Sequence, residues 1–264
     1  MRFSYLFYEP IETVTELDER MRYLAGLKYQ GIELSAFHPC GYSPQDALAL
    51  ARTHGLAIVS LLSGWSYSHE GLCLSSPDSS VRDRAVARLG DYVEAATVMN
   101  AVVVVGLMQG RQHDEPDSFI ANDRIAECLA RVAAIAAPLG VSIVLEPVNH
   151  LQVGFNNTAA EAAAMAARVA SPAMSYMLDT FHLNVEERSI LDTIRRHARA
   201  IRHFHLCETN GGRFGTGNLD FRRVLHALET SGYNHFLSVK DYRSGDWREA
   251  ARAASQFLRQ FGYF

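Results

Sequence analysis

The sequence predicts a single α/β barrel of eight parallel strands. Three observations carry that prediction: eight short apolar runs, helical patterns between them, and a length of 264 residues, close to the roughly 250 that such a barrel takes. The runs are FSYLFY (3–8), GIELS (31–35), LAIVSLL (56–62), AVVVVG (101–106), VSIVLE (141–146), MSYMLD (174–179), IRHFHL (201–206) and HFLSVK (235–240), each of strand length and rich in β-branched or aromatic residues. AVVVVG is apolar without alternation, as a strand covered on both faces should be. Between the runs, VTELDERMRYLAGLKYQ, SVRDRAVARLGDYVEAATVM, DRIAECLARVAAIAAPLG, TAAEAAAMAARVA and DWREAARAASQFLRQFG have helical spacing. Several open on Ser, Thr or Asp where an N-cap belongs, and PLG at 138–140 supplies a stop. Strand and helix alternate without a Pro/Gly-rich linker, which argues for one domain over 1–264 with a parallel sheet. Closure into a barrel is the economical topology, and an open doubly wound sheet is the alternative.

Composition narrows the function classes. With 48% hydrophobic residues the chain can bury a large core, and a formal net charge of -4 gives no electrostatic ground for a nucleic-acid or membrane partner. No run approaches membrane-spanning length, and the apolar patch in MRFSYLFYEP is too short for a signal sequence. Cys40, Cys73, Cys128 and Cys207 lack CxxC spacing, so neither a zinc knuckle nor a disulfide framework is expected, and reduced thiols in a cytoplasm are.

In barrels of this kind reactive side chains sit where strands stop. VSIVLE ends in Glu146, followed by Pro147, Val148, Asn149 and His150; MSYMLD ends in Asp179, with His182 three residues on; IRHFHL carries His203 and His205; HFLSVK ends in Lys240. Two carboxylates and an imidazole on three successive strand ends can converge above the barrel mouth, and Glu146, Asp179 and His205 are therefore candidate ligands for one divalent ion: Mn²⁺, Mg²⁺, Co²⁺ or Zn²⁺, which spacing does not separate. Each residue also has a structural reading. Glu146 pairs with an arginine, Asp179 caps the turn into FHLN, and one of His203 and His205, which alternation puts on the same face, is a core or supporting histidine. The long segments SGWSYSHEGL and MQGRQHDEPDSF suit lids over a small ligand, with Trp65 and Tyr67 as stacking surfaces. GGRFGTG lacks the lysine and Ser/Thr of a phosphate-binding loop.

LEPVNH (145–150), NTAAEA (157–162), LDTFHLN (178–184) and HFHLCETNGGRFGTGNLDF (203–221) resemble the sugar isomerase and epimerase group with the xylose isomerase-like TIM barrel. That group includes ketose 3-epimerases, hydroxypyruvate isomerase and 3-oxo-C-glycoside deglycosidases. The likeness runs over essentially the whole chain, and its most specific part is the last motif, in which His205, Glu208, Arg213, Gly215 and Gly217 match the family pattern. The resemblance implies that Glu146, Asp179 and His205 bind the metal, Mn²⁺ foremost, and that Glu146 also serves as acid–base group. It further implies that His182 and Arg213 touch substrate oxygens, with Glu208 in the substrate site, to which the loop reading adds Trp65.

At Lys240 the chain departs from the family. Ketose epimerases of this group carry a second glutamate at the end of the eighth strand, as metal ligand and second proton-transfer group. An ammonium about 5 Å from a divalent cation is repelled by roughly 6 to 7 kcal/mol at an effective dielectric of about 20. Lys240 is therefore expected to face the pocket without binding the metal and to divert the enediolate from two-carboxylate epimerisation, either neutral with a depressed pKa as base or nucleophile, or turned to a substrate oxygen or phosphate, or neutralised by Asp241 and other carboxylates; its structural reading is a solvated loop lysine. From that intermediate, proton return to a neighbouring carbon gives isomerisation. Expulsion of a β-substituent, assisted by Lys240, His150 or His182, gives elimination, the reaction by which some relatives cleave 3-oxo-glycosides with a small β-sandwich partner subunit. The implied partners are a small sugar and either further copies of the chain or such a subunit. Two other classes are a noncatalytic sugar-binding subunit and a DNA-repair endonuclease of the same ancestry. The latter needs extra ligands that Glu33, His69 and His113 match only in part, and a basic face that the net charge argues against.

Overall fold

The computed structural model describes residues 1–35 and 41–264; Cys40, one of the four expected thiols, lies outside them. Eight parallel strands close into a barrel in sequence order. They are β1 (Arg2–Phe7), β2 (Gly31–Ser35), β3 (Ala57–Leu62), β4 (Val102–Val105), β5 (Ile143–Leu145), β6 (Met174–Asp179), β7 (His203–Cys207) and β8 (Phe236–Lys240). All eight expected runs supply a strand, so the open doubly wound alternative is set aside. The helices are α1 (Val14–Gly26), α2 (Pro44–His54), α3 (Gly64–Glu70), α4 (Ser79–Met99), α5 (Ser118–Leu139), α6 (Ala159–Val169), α7 (Thr180–Glu186), α8 (Ile190–His197), α9 (Phe221–Thr230) and α10 (Trp247–Arg259). Among the described residues, no helix is long and apolar enough to cross a membrane.

Local chemistry sets the helix ends. Ser43 opens α2 and Thr158 opens α6 with reciprocal capping boxes to Asp46 and Glu161, each satisfying backbone donors the helix cannot. The stop expected from PLG falls one residue later than the proline: Pro138 sits in the last turn of α5, and Gly140, at φ 68°, ends the helix. A proline there still interrupts one backbone bond, but only a residue tolerant of positive φ turns the chain out.

Alternation along the strands divides the side chains into two sets. Tyr5, Phe7, Ile32, Leu61, Val103, Leu145 and Leu178 belong to the large core shared with the helices. Leu6, Leu62, Val104, Val144 and Met177 form a separate apolar cluster inside the barrel. The rest of the interior is polar: Ser4, Glu33, Ser60, His203, His205 and Ser238 are at most 1% exposed. The Ser4 and Ser238 hydroxyls are 2.5 Å apart, Ser238 meets His203 Nε2 at 3.4 Å, His203 pairs with Glu33, and Glu33 Oε2 lies 3.0 Å from His205 Nε2. A polar column thus rises on the β1, β2, β7 and β8 side and ends at the strand C-termini.

Candidate active site at the barrel mouth

Register brings the strand ends together. Asp179 pairs with His205 across β6 and β7, and Cys207 pairs with Lys240 across β7 and β8. Thr180 pins the start of α7 to β7: its hydroxyl donates to the Cys207 carbonyl at 2.7 Å and accepts from the Cys207 N–H at 2.8 Å. Asp179 both caps and faces inward. Its Oδ1 accepts from the Phe181 N–H at 2.7 Å, while Oδ2 accepts from Lys240 Nζ at 2.6 Å. The structural and functional readings of Asp179 therefore coexist, one on each oxygen.

Glu146 lies just past β5, its N–H bonded to the Val105 carbonyl at 2.9 Å and its own carbonyl accepting from Gln109 Nε2 at 3.0 Å. A Cβ at Gly106 would fall 2.6 Å from Glu146 Oε2, so the end of β4 makes room for this carboxylate by carrying none. Glu146 Oε1 is 3.2 Å from His205 Nδ1, 3.6 Å from His182 Nε2 and 3.6 Å from Lys240 Nζ. His182 is oriented by Asn149, whose Nδ2 donates to Nδ1 at 2.8 Å while its Oδ1 accepts from the Leu151 N–H at 3.1 Å. That leaves the His182 proton on Nε2, aimed at the two carboxylates.

Burial alone would raise the Glu146 carboxyl, yet Lys240, His205 and His182 together bring it down to about 2. Asp179, where burial is opposed chiefly by Lys240 and His182, is held well below the usual carboxylate range. Burial opposes charge on Lys240, but Asp179, Tyr8 and Glu146 more than offset it and raise the amine well above its ordinary value. His205 is raised in the same way, Glu33 leading against burial. Burial lowers His182, with Asp179 pulling the other way. At neutral pH the mouth therefore holds two carboxylates, an ammonium, an imidazolium and a neutral imidazole.

Among the described residues, two groups of side chains have the spacing of metal ligands: Glu146, Asp179 and His182 at the mouth, and Glu33, His203 and His205 beneath, with donor atoms within 4.8 Å of one another in each. His205 Nδ1 also reaches the mouth group, 3.5 Å from Asp179 Oδ2. The expected ligands Glu146, Asp179 and His205 are thus assembled, but around an ammonium. An ion bonded to Asp179 Oδ2 at about 2.1 Å would lie within about 4.7 Å of Lys240 Nζ. There it would meet a repulsion of about 7 kcal/mol at an effective dielectric of about 20. With Lys240 in this position the donor set does not fit a divalent ion.

A cavity of about 280 Å³ opens above these groups, lined by Glu146, His182 and Lys240 from the strand ends, by Tyr8 and Glu9 after β1, and by Trp65, Ser68 and His69 of α3, with Leu62, Val104 and Val148 as apolar wall. This is just below the range of roughly 300–1,000 Å³ typical of drug-sized ligands. Trp65 lies flat on His69, ring centroids 3.4 Å apart.

Other expected residues go elsewhere. Tyr67 turns its hydroxyl to Asp114 at 2.8 Å. The His150 side chain, 60% exposed, pairs with Glu186 at 2.6 Å, and Arg213 pairs with Glu249 at 2.7 Å on the surface; neither lines the cavity. Glu208 is fully buried and staples its own loop, accepting from the N–H groups of Thr209 at 2.9 Å, Gly215 at 3.0 Å and Leu219 at 3.1 Å. Gly217 permits this, since a Cβ there would lie 2.5 Å from Glu208 Oε1. Glu208→Ala should leave three donors unsatisfied and lower stability by about 3 kcal/mol, read as a lower urea midpoint, with sugar affinity little changed. Nor are the three residues of the endonuclease reading assembled: Glu33 is inside the barrel, His69 is stacked on Trp65, and His113, 70% exposed, lies beside Asp114. Sequence reasoning did not assign roles to Asn149, Gln109, Tyr8 or Glu9. Asn149, three residues after Glu146 in the quoted LEPVNH, was the one with a visible signal.

The chain is similar to known sugar epimerases. It is 34% identical over 176 residues to the L-ribulose 3-epimerase of Mesorhizobium japonicum, covering 65% of this chain and 58% of that one. It is 30% identical over 217 residues to the ketose 3-epimerase of Arthrobacter globiformis, covering 81% and 73%. The chain thus spans somewhat over half of the first relative and about three quarters of the second. A solved L-ribulose 3-epimerase superposes with a TM-score of 0.88 at 25% identity, covering 98% of this chain and 93% of the other. Residues 21–261 match the model of the xylose isomerase-like TIM barrel, and with the closed barrel and the carboxylate-lined mouth this places the chain in that family.

Proposed function

We propose that the chain moves a proton next to the carbonyl of a keto sugar, with Glu146 carrying it between neighbouring carbons in an aldose–ketose type isomerisation. The observation that carries this reading is the 3.6 Å between Lys240 Nζ and Glu146 Oε1. Inversion at one carbon needs two proton-transfer groups on opposite faces, each about 3–3.5 Å from it, hence about 6 Å apart. Lys240 and His182, both 3.6 Å from Glu146, stand on its own side. The epimerases that the chain resembles support the sugar substrate, and epimerisation and isomerisation share the first step.

In that step Glu146 takes the proton from the carbon beside the carbonyl. The C–H electron pair becomes the C=C bond of an enediolate, and the carbonyl π pair moves onto oxygen. The neighbouring hydroxyl proton passes to that oxygen, Glu146 returns its proton to the former carbonyl carbon, and the carbonyl is now one carbon along. The negative charge needs a cation beside it. The expected Mn²⁺ at Glu146, Asp179 and His205 supplies one only if Lys240 withdraws from Asp179.

An aldose deuterated at C-2, incubated with the protein in ordinary water, should give a ketose with part of the deuterium at C-1, and no C-3 epimer. Inversion at C-3 with full washout of label would overturn this assignment and give a second proton-transfer role to Glu9 or His69, which also line the cavity. Absence of proton exchange on any keto sugar would remove the enolisation reading itself.

A further inference from the structure

The mouth carries a resident cation at the point where the proposed chemistry develops negative charge. The Lys240 ammonium has three N–H donors, and one is used on Asp179 Oδ2 at 2.6 Å. Glu146 Oε1, at 3.6 Å, is beyond hydrogen-bond distance. Lys240 nonetheless lines the cavity, so a donor remains for a ligand oxygen. Its stem is fixed by β8, where Ser238 on the same face is held by Ser4 and His203, and by the Tyr8 ring 5.8 Å from Nζ. Three carboxylates stand here with two cations: Lys240 sits with Asp179 and Glu146, and His205 sits over Glu33.

We propose that the Lys240 ammonium takes the place of a divalent ion in this site, donating an N–H to the carbonyl oxygen of an uncharged α-hydroxy ketone or aldehyde and holding the enediolate oxygen after Glu146 has taken the proton. This rests on the keto-sugar reading for its substrate, but its central claim, that the wild-type site excludes a metal, is tested without one. No redox partner or co-reactant is needed, since the proton leaves for and returns from Glu146 and the lysine keeps its own.

The test titrates chelator-treated wild-type protein with Mn²⁺ by calorimetry, alongside Lys240→Glu. Wild type should show no stoichiometric binding, no Mn²⁺-dependent rise in Tm, and sugar proton exchange unchanged by chelator. Lys240→Glu restores a carboxylate and should bind one Mn²⁺ with a Tm rise of several degrees. Lys240→Met should lose exchange by about 100-fold or more without gaining metal dependence. Should either variant fail to fold, the wild-type titration still decides. Stoichiometric Mn²⁺ in wild type, or exchange abolished by chelator and restored by Mn²⁺, would overturn the proposal. If no keto sugar exchanges, the substrate reading fails, and the titration still shows whether lysine excludes the metal.

Discussion

Glu146→Gln should bind keto sugars about as well as wild type and exchange the substrate proton about 10³-fold more slowly, the middle of the range for loss of a positioned general base. The substitution keeps shape and the backbone bonds to Val105 and Gln109, and removes only the charge and the proton-accepting oxygen. The pH profile adds a second check. Because its neighbours hold Glu146 down to about 2, the carboxylate is ionised throughout the neutral range. His182, lowered below its ordinary 6.5, is neutral above that value. Exchange by wild type should therefore be flat from about pH 6.5 to 8, with any acid limb below it. A Gln variant within tenfold of wild type would mean that Glu146 is not the base.

Glu33→Gln should lower stability by about 3–5 kcal/mol, the usual cost of removing one member of a buried ionic set. Glu33 is completely buried between His203 and His205. Although burial alone would raise it, the two histidines hold its carboxyl well below 4.5, so its contribution is present above that value and is lost as pH falls through the lowered one. His205 is raised well above 6.5, so its contribution is complete below 6.5 and fades as pH rises through the elevated value. The difference between wild type and Glu33→Gln should be largest between about pH 4.5 and 6.5, measured as unfolding free energy in urea across a pH series. A difference under 1 kcal/mol in that window would mean the barrel interior relaxes around the missing charge.

The strands were legible because they are short runs, mostly apolar and β-branched or aromatic, set between helical patterns, and the mouth was legible because a charge at the end of an apolar run is costly without a purpose. Glu146, Asp179, His205, His182 and Lys240 were found this way, and the structure brings all five together. Partner choice was not legible. Alternation put His203 and His205 on one face but could not name Glu33, 170 positions before His203 in the chain, as the group that sits against both. His150, Arg213 and Glu208 belong to loops, whose side-chain directions follow from turns that no periodicity encodes. Arg213 finds Glu249 on α10, and Glu208 finds its own loop's backbone.

Gly106 limits how this barrel can be repurposed. Any side chain there would strike Glu146 Oε2, so the wall beside the base cannot be re-cut to admit a different sugar without moving the base. Room for variation lies in α3, where Trp65, Ser68 and His69 line the cavity on a short helix. Libraries that aim to change substrate while keeping the chemistry should spend their diversity on 65, 68 and 69 and leave 106 as glycine.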